Sequence, residues 1–224
     1  MKKVERLLKL KEARIVAVIR KDSKEEAKKI TETLIEAGIT TIEITLTTPN
    51  ALELIKELTE NNENQVQSFI GAGTVVEKEM ALLAIQAGAE FIVSPVFDKE
   101  IAQVCNYYQI PYIPGCMTVN EMKNALMEGI DIIKLFPASQ FSPRIIKDIK
   151  GPIPQVNIMP SGGINGNNAN DWLEAGAVAI SVGGELTSSV ERCKELSKLY
   201  LNQINLEKWW VFSSLFYFQM WKNY

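Results

Sequence analysis

The chain of 224 residues contains no histidine. This absence excludes every catalytic triad in which an imidazole serves as the base. It also argues against a catalytic zinc site, because such sites nearly always use histidine ligands. General acid–base chemistry would therefore have to come from Glu, Asp, Lys, Tyr or Cys side chains.

Several other features are scarce as well. The three cysteines, Cys105, Cys116 and Cys193, have the spacing of neither a metal site nor a redox motif, which favours free thiols in a reducing cytoplasm. No uncharged apolar run reaches the roughly 18 residues of a membrane-spanning helix, and no apolar signal region follows the first residues. The lack of a long apolar run means that we expect no membrane span. The net charge is −3 without a basic stripe, so we do not expect a nucleic-acid partner.

What the sequence does contain is a pattern that recurs four times. It reads EAGITTIEIT at residues 36–45, QAGAEFIVSP at 86–95, MEGIDIIKLF at 127–136 and EAGAVAISVG at 174–183. Each copy is the end of a helix, a glycine and then a β-rich run. The glycine suits the left-handed position that closes a helix. The runs are nearly all apolar, as in parallel strands that are buried on both faces.

Further apolar runs and helical periodicity complete this alternation. Additional strands are predicted at residues 15–19, 69–74, 111–114 and 157–161, and helices at 23–37, 50–61, 77–87, 98–108, 118–128 and 167–175. Ser23 and Glu26 have the spacing of a capping box. Eight strands, one per roughly 25 residues, predict an α/β protein: a single-domain (β/α)₈ TIM barrel over residues 1–206 that begins with an N-terminal helix. A doubly wound sheet is the rival, but its Gly-x-Gly-x-x-Gly turn is missing after the first strand.

Residues 207–224 differ from the rest of the chain. They hold three of the four tryptophans, in an aromatic-rich stretch at 209–224 that is too short and too interrupted to span a bilayer. This atypical tail can pack on the barrel, join subunits or rest on a membrane surface, and we favour the first two roles.

Lys134 is the most informative residue of the chain. It lies in DIIKLFP, residues 131–137, a short apolar run that is typical of a buried strand. An ammonium group loses hydration in such a place, which favours the neutral amine. A neutral amine at the end of a buried strand can attack a carbonyl and form a Schiff base. The alternative is an edge strand that carries a protective lysine.

Polar residues also end the other predicted strands, where the working residues of a TIM barrel stand. Glu43 lies between Ile42 and Ile44. A carboxylate isolated between two dry strand faces is costly, so we expect Glu43 to face Lys134 and to shuttle protons. The alternative is the solvent face of an amphipathic strand. The remaining candidates are Arg20, Thr74, Pro95, Phe136, Ser161, Gly162, Gly163, Gly183 and Gly184.

Two glycine pairs follow the seventh and eighth predicted strands, at 162–163 and 183–184. Glycines allow backbone N–H groups to approach an anion closely, and these two loops form the usual phosphate site of TIM barrels. Ordinary turns use such pairs too. Arg20 follows the first strand, where its guanidinium group would suit a substrate carboxylate, although it can equally be a simple surface residue.

These residues belong to motifs that resemble those of a known family. The motifs are IEIT (42–45), GAGTV (71–75), FIVSP (91–95), PG (114–115), IKLFP (133–137) and PSGGI (160–164). In this order they resemble the 2-keto-3-deoxy-6-phosphogluconate (KDPG) and 4-hydroxy-2-oxoglutarate (KHG) aldolases, over residues 4–205. The resemblance implies a class I aldolase with a (β/α)₈ barrel, usually a homotrimer, that needs no cofactor or metal.

The resemblance also implies roles for the site residues. Lys134 would form the Schiff base and Glu43 would be the general acid–base. Phosphorylated keto acid, pyruvate and glyceraldehyde 3-phosphate are the implied ligands. Thr74, Pro95 and Phe136 would shape the pyruvate pocket, and Ser161 with both glycine pairs would hold the phosphate.

One position departs from the family pattern. Several members carry an arginine four residues after the catalytic glutamate, where this chain has Thr47. We infer that Arg20 supplies the guanidinium group instead. The Ser161 hydroxyl is typical of the gluconate-type enzymes and tilts the prediction toward KDPG. The alternatives are 2-keto-3-deoxy-6-phosphogalactonate as the substrate, a sugar-phosphate isomerase or decarboxylase, or a non-catalytic scaffold.

Overall fold

The computed structural model describes residues 1–60 and 68–204. The helices in these ranges are α1 (Lys2–Ala13), α2 (Lys24–Glu36), α3 (Ala51–Glu60), α4 (Lys78–Gln86), α5 (Lys99–Tyr108), α6 (Val119–Met127), α7 (Ile145–Lys150), α8 (Ala169–Glu174) and α9 (190–204). The strands are β1 (Ile15–Ile19), β2 (Thr41–Thr45), β3 (Phe69–Gly73), β4 (Ile92–Val93), β5 (Tyr112–Ile113), β6 (Gly115–Cys116), β7 (Ile133–Leu135), β8 (Ile158–Pro160) and β9 (Ile180–Val182). The aromatic tail predicted at 207–224 lies outside the described residues. Within them, no helix has the length and apolar character needed to cross a membrane.

Helix α2 begins at the predicted Ser23 cap, and α2, α4, α6 and α8 are each followed by one of the predicted glycines. The Ser23 side chain accepts a hydrogen bond from the Glu26 N–H at the start of α2. A complete capping box, with both reciprocal bonds, opens α6. The four repeated glycines all have positive φ, which confirms the predicted left-handed helix ends. These angles are +98° at Gly38, +101° at Gly88, +78° at Gly129 and +103° at Gly176.

All strand pairs of the described residues are parallel. One sheet has the order β5-β4-β3-β2-β1-β9 and the other the order β6-β7-β8. The strand predicted at 111–114 is found only at 112–113, as β5, and a further short piece, β6, follows Pro114 at 115–116. The physical reason is that proline has no N–H to donate to a ladder, although its carbonyl still accepts from the Lys134 N–H at 2.8 Å. The predicted parallel α/β architecture, with its N-terminal helix, is confirmed.

The strands bury apolar side chains on both faces. A large cluster, which includes Ile15, Ala17 and Ile42, contains residues of the strands and of the helices around them. A smaller cluster takes the alternate strand residues, among them Val16, and Leu10 of α1 packs with it. Burial on both faces is what the nearly continuous apolar runs predict for parallel strands. Each fully buried large apolar side chain contributes about 1.5–3 kcal/mol relative to an exposed one.

The smaller cluster forms a floor below the C-terminal strand ends. Side chains of a strand alternate between its two faces, so residues i, i+2 and i+4 share one face. On four strands, the face that carries the smaller cluster continues toward the C-terminal end with at least one polar residue. These series are Val16, Val18 and Arg20; Ile132, Lys134 and Phe136; Met159 and Ser161; and Ala179, Ser181 and Gly183. The fold therefore places polar groups above a dry apolar layer.

Candidate active site

A cavity of about 640 Å³ lies at the C-terminal ends of the strands. All eleven residues predicted from the sequence line it, together with five that were not predicted. The predicted residues are Arg20, Glu43, Thr74, Pro95, Lys134, Phe136, Ser161, Gly162, Gly163, Gly183 and Gly184, and the additional ones are Val18, Ile164, Asn165, Ser181 and Glu185.

Lys134 occupies the centre of β7 and is only 7% exposed. Strand β7 pairs with β6 on one side and with β8 on the other, so the edge-strand interpretation is wrong. Its Nζ lies 5.0 Å from the centre of the Phe136 ring. Gly115 is the residue paired with Lys134, and a Cβ built there would lie 2.1 Å from the Pro95 carbonyl oxygen. The glycine therefore allows the Pro95 backbone to come close beside the lysine strand.

Glu43 is 1% exposed and stands in the middle of β2, all of whose residues are buried. The solvent-face interpretation is therefore wrong. The carboxylate packs over Gly73, where an added Cβ would lie 2.0 Å from Oε1. Its Oε2 has no hydrogen-bond partner among the described residues. A buried acceptor without a partner costs free energy, and here it lines a cavity in which water or a substrate hydroxyl can donate to it.

Arg20 and Thr74 are joined at the exposed side of the cavity. Arg20 Nη2 donates to Thr74 Oγ1 at 3.1 Å. Thr74 has a φ of +57°, a left-handed conformation that is unusual for a β-branched residue and costs about 1–3 kcal/mol. Thr47 is exposed, bonds to Thr45 at 3.0 Å and is not among the lining residues. Along this part of the cavity wall, the guanidinium group is that of Arg20.

The glycine loops form another part of the wall. Gly162, Gly163 and Gly184 have φ angles of +88°, +80° and +46°. The described residues offer no hydrogen-bond acceptor to the N–H groups of these three glycines. Nearby, Ser161 Oγ donates to Ser181 Oγ at 3.1 Å. The loops thus present free backbone donors and hydroxyl groups, which is a chemistry that suits an anion.

Of the five lining residues that the sequence did not predict, two carry a recognisable signal and three do not. Val18 and Ser181 lie two positions before Arg20 and Gly183, so strand alternation alone would have found them. Ile164, Asn165 and Glu185 lie in loops, where no periodicity shows which way a side chain points. Glu185 directly follows a glycine pair, and its carboxylate accepts a hydrogen bond from Arg192.

Fold and cavity together define an α/β enzyme whose cavity contains a buried lysine and a buried carboxylate. Residues 7–201 match the family described as KDPG and KHG aldolase. The chain belongs to this family.

Individual relatives agree with this assignment. The chain is 35% identical to a 2-dehydro-3-deoxy-phosphogluconate aldolase of Haemophilus influenzae, over 74% of this chain and 77% of the relative. It is 29% identical to a 2-dehydro-3-deoxy-6-phosphogalactonate aldolase of Escherichia coli, over 84% and 92% of the two chains. The solved KDPG aldolase of Legionella pneumophila, with pyruvate captured as a covalent carbinolamine intermediate, superposes with a TM-score of 0.73. It is 30% identical, over 85% of this chain and 91% of that one.

Proposed function

We propose that this protein is a class I aldolase that cleaves KDPG to pyruvate and glyceraldehyde 3-phosphate, and that also accepts 4-hydroxy-2-oxoglutarate. The observation that carries the proposal is that a buried lysine and a buried carboxylate line the same cavity. Lys134 is the one lysine among the described residues that is buried, and Glu43 lines the same cavity with an unpartnered oxygen. The family membership and the carbinolamine in the Legionella relative support amine chemistry.

The first stage joins the substrate to the enzyme. The neutral amine of Lys134 adds to the C2 ketone and forms a carbinolamine. Glu43, acting through a water molecule, supplies the proton with which the hydroxyl leaves as water, and an iminium forms.

The second stage breaks the carbon–carbon bond. Glu43 accepts the proton of the C4 hydroxyl, the C3–C4 bond breaks, and its electron pair moves to the iminium nitrogen. Glyceraldehyde 3-phosphate leaves and a pyruvate enamine remains. Protonation at C3 regenerates the iminium, and water hydrolyses it to pyruvate and free Lys134. The water released when the iminium forms is thus consumed when the iminium is hydrolysed.

The other lining residues hold the substrate in place. Arg20, fixed by its bond to Thr74, takes the substrate carboxylate, and Pro95 and Phe136 enclose the pyruvate carbons. Ser161 and the two glycine pairs bind the phosphate through hydroxyl and backbone N–H donors. Their contribution is orientation rather than bond chemistry. The Ser161 hydroxyl is the reason to prefer KDPG over the galactonate epimer, and a cleavage assay on KDPG, its epimer and 4-hydroxy-2-oxoglutarate compares the three directly.

The same proposal extends to the assembly of the protein. We propose that the two sheets form one closed eight-stranded barrel, in which β5 and β6 count as one interrupted strand. Support comes from the single residue between them and from the parallel bridge that joins Ser161 to Ser181 of β9.

The three buried cysteines are free, which favours a reducing compartment such as the cytoplasm. A homotrimer is proposed from the family resemblance alone.

Borohydride trapping tests the central claim. Reduction in the presence of pyruvate should leave a stable adduct on Lys134, which peptide mass mapping would locate. Lys134→Arg should abolish both the adduct and KDPG cleavage. Lys150→Arg is the matched control, because Lys150 is only partly buried and its Nζ already donates to the Gly176 carbonyl at 2.9 Å. A protein that cleaves KDPG but yields no adduct on Lys134 would show that the Schiff-base mechanism is wrong.

A further inference from the structure

Glu185 gives the cavity an unexpected charge beside the glycine loops. It directly follows Gly184 and lines the same cavity as Gly162 and Gly163. The proposed function assigns this part of the cavity to the substrate phosphate, and the inference below rests on that function. A carboxylate close to a bound phosphate repels it.

The other side chains that line this part of the cavity do not offset the Glu185 charge. Those that line the cavity beside the glycine loops, Ser161, Ser181 and Asn165, are neutral. The two lining cations, Arg20 and Lys134, are assigned by the proposed function to the keto-acid part of the substrate. In this part of the cavity wall, Glu185 is thus the one formal charge that the described residues contribute.

Arg192 balances Glu185 from outside the cavity. It lies in the first turn of α9, close to Ser189, whose Oγ accepts from the Arg192 N–H at 3.3 Å. Its Nη2 pairs with the Glu185 carboxylate, and its Nη1 pairs with Glu195 at 2.8 Å. The side chains of Arg192 and Glu185 are 40% and 44% exposed, so solvent weakens their attraction without removing it.

We propose that the Glu185–Arg192 pair is a specificity determinant that sets how well the cavity accepts a phosphorylated substrate. Arg192 acts as a positioning residue: it holds the Glu185 carboxylate and neutralises it. Without Arg192, the free carboxylate would repel the phosphate. Without the Glu185 charge, the backbone donors of the glycine loops would act on the phosphate unopposed, with Arg192 adding attraction. Pyruvate, which has no distal group, would not sense the pair.

The test compares a phosphorylated with a non-phosphorylated ligand in the full-length protein. Arg192→Ala should raise the KM for KDPG about two- to fivefold, and Glu185→Gln should lower it by a similar factor. The double variant should lie between them. The pyruvate concentration that half-saturates borohydride trapping should move with neither substitution. Both shifts in KM should shrink at 1 M salt, where charges are screened beyond about 3 Å.

Lys56→Ala is the matched control for loss of one positive charge. Lys56 pairs with Glu60 near the end of α3, and a helix that links parallel strands ends at the edge opposite their C-terminal ends. The Lys56→Ala variant should leave the KM for KDPG unchanged. A KM for KDPG that moves in neither variant, or that moves in parallel with pyruvate saturation, overturns the inference while leaving the aldolase function intact. Wild-type protein that neither cleaves KDPG nor traps pyruvate overturns the proposed function itself.

Discussion

Residue 73 determines where the Glu43 carboxylate can lie. A Cβ at Gly73 would come within 2.0 Å of Oε1 and 2.6 Å of the carboxylate carbon. Gly73→Ala should therefore push the Glu43 side chain out of position. We expect kcat for KDPG cleavage to fall by about two to four decades, the usual contribution of a positioned acid–base group. Single-turnover cleavage and the rate of pyruvate adduct formation measure this loss.

Gly71→Ala is the matched control for this substitution. Gly71 lies two positions earlier on the same strand face, and its added Cβ would meet the Phe91 ring at 2.5 Å rather than the Glu43 carboxylate. Both variants crowd the strand interior and should lower thermal stability. If Gly71→Ala reduced kcat as strongly as Gly73→Ala, general distortion of β3 would explain the loss and the specific role of Gly73 would be wrong.

For single residues, the sequence predicted which residues belong to the site better than it predicted which side chains they contact. Lys134 and Glu43 could be predicted because a charge in an apolar run has few inexpensive environments. The strain at Thr74 could not, since nothing in GAGTV signals a positive φ at a threonine. Glu185 was missed because a loop carboxylate looks like any solvated residue until its neighbours in space are known.

The capping box of α6 shows how a single helix end depends on pH. Glu121 Oε2 accepts from the N–H groups of Met117 and Thr118, at 2.8 Å each, and from the Thr118 hydroxyl at 2.9 Å. These bonds hold the pKa of the Glu121 carboxyl below its usual range. A lowered folded-state pKa contributes stability that is present above the unfolded-state pKa and lost as the pH falls through the folded-state value.

Glu121→Gln should therefore destabilise the protein in a pH-dependent way. Near neutral pH we expect a loss of about 0.5 kcal/mol, since glutamine can still accept a hydrogen bond but carries no charge for the helix N-terminus. The gap between wild type and variant should close as the pH falls below the ordinary range of a glutamate. Urea unfolding at several pH values measures it. A gap that widened in acid would contradict the assigned sign.

The elements themselves were predictable where local chemistry fixes them. The four glycines with positive φ mark helix ends that only a residue without a Cβ tolerates well. Strand lengths were less predictable, because ladder hydrogen bonds depend on the neighbouring strand. Pro114 is the example, since it ends β5 within the run predicted at 111–114 and separates it from β6 at 115–116. The short helix α7 was absent from the predicted helices, as six residues are too few to establish a period.

The site belongs to the whole molecule, because its groups come from distant parts of the chain. Glu43 lies in β2, Lys134 in β7, and the glycine loops follow β8 and β9. Alternation within each strand predicts which side chains share a face, but only the parallel pairing of strands brings those faces around one cavity. A ligand that contacts several of these groups therefore links parts of the chain that move apart when the protein unfolds.

Pyruvate should therefore stabilise the entire fold. A ligand that binds only the native state adds RT ln(1 + [L]/Kd), about 2.7 kcal/mol at a hundredfold excess over Kd. Lys134→Met should abolish this gain. The variant should be at least as stable as the wild type without pyruvate, because it replaces a buried amine with an apolar chain of similar length. Thermal unfolding with increasing pyruvate gives both quantities. If pyruvate stabilised Lys134→Met as much as the wild type, its binding would not require the amine, and the covalent account of the site would be wrong.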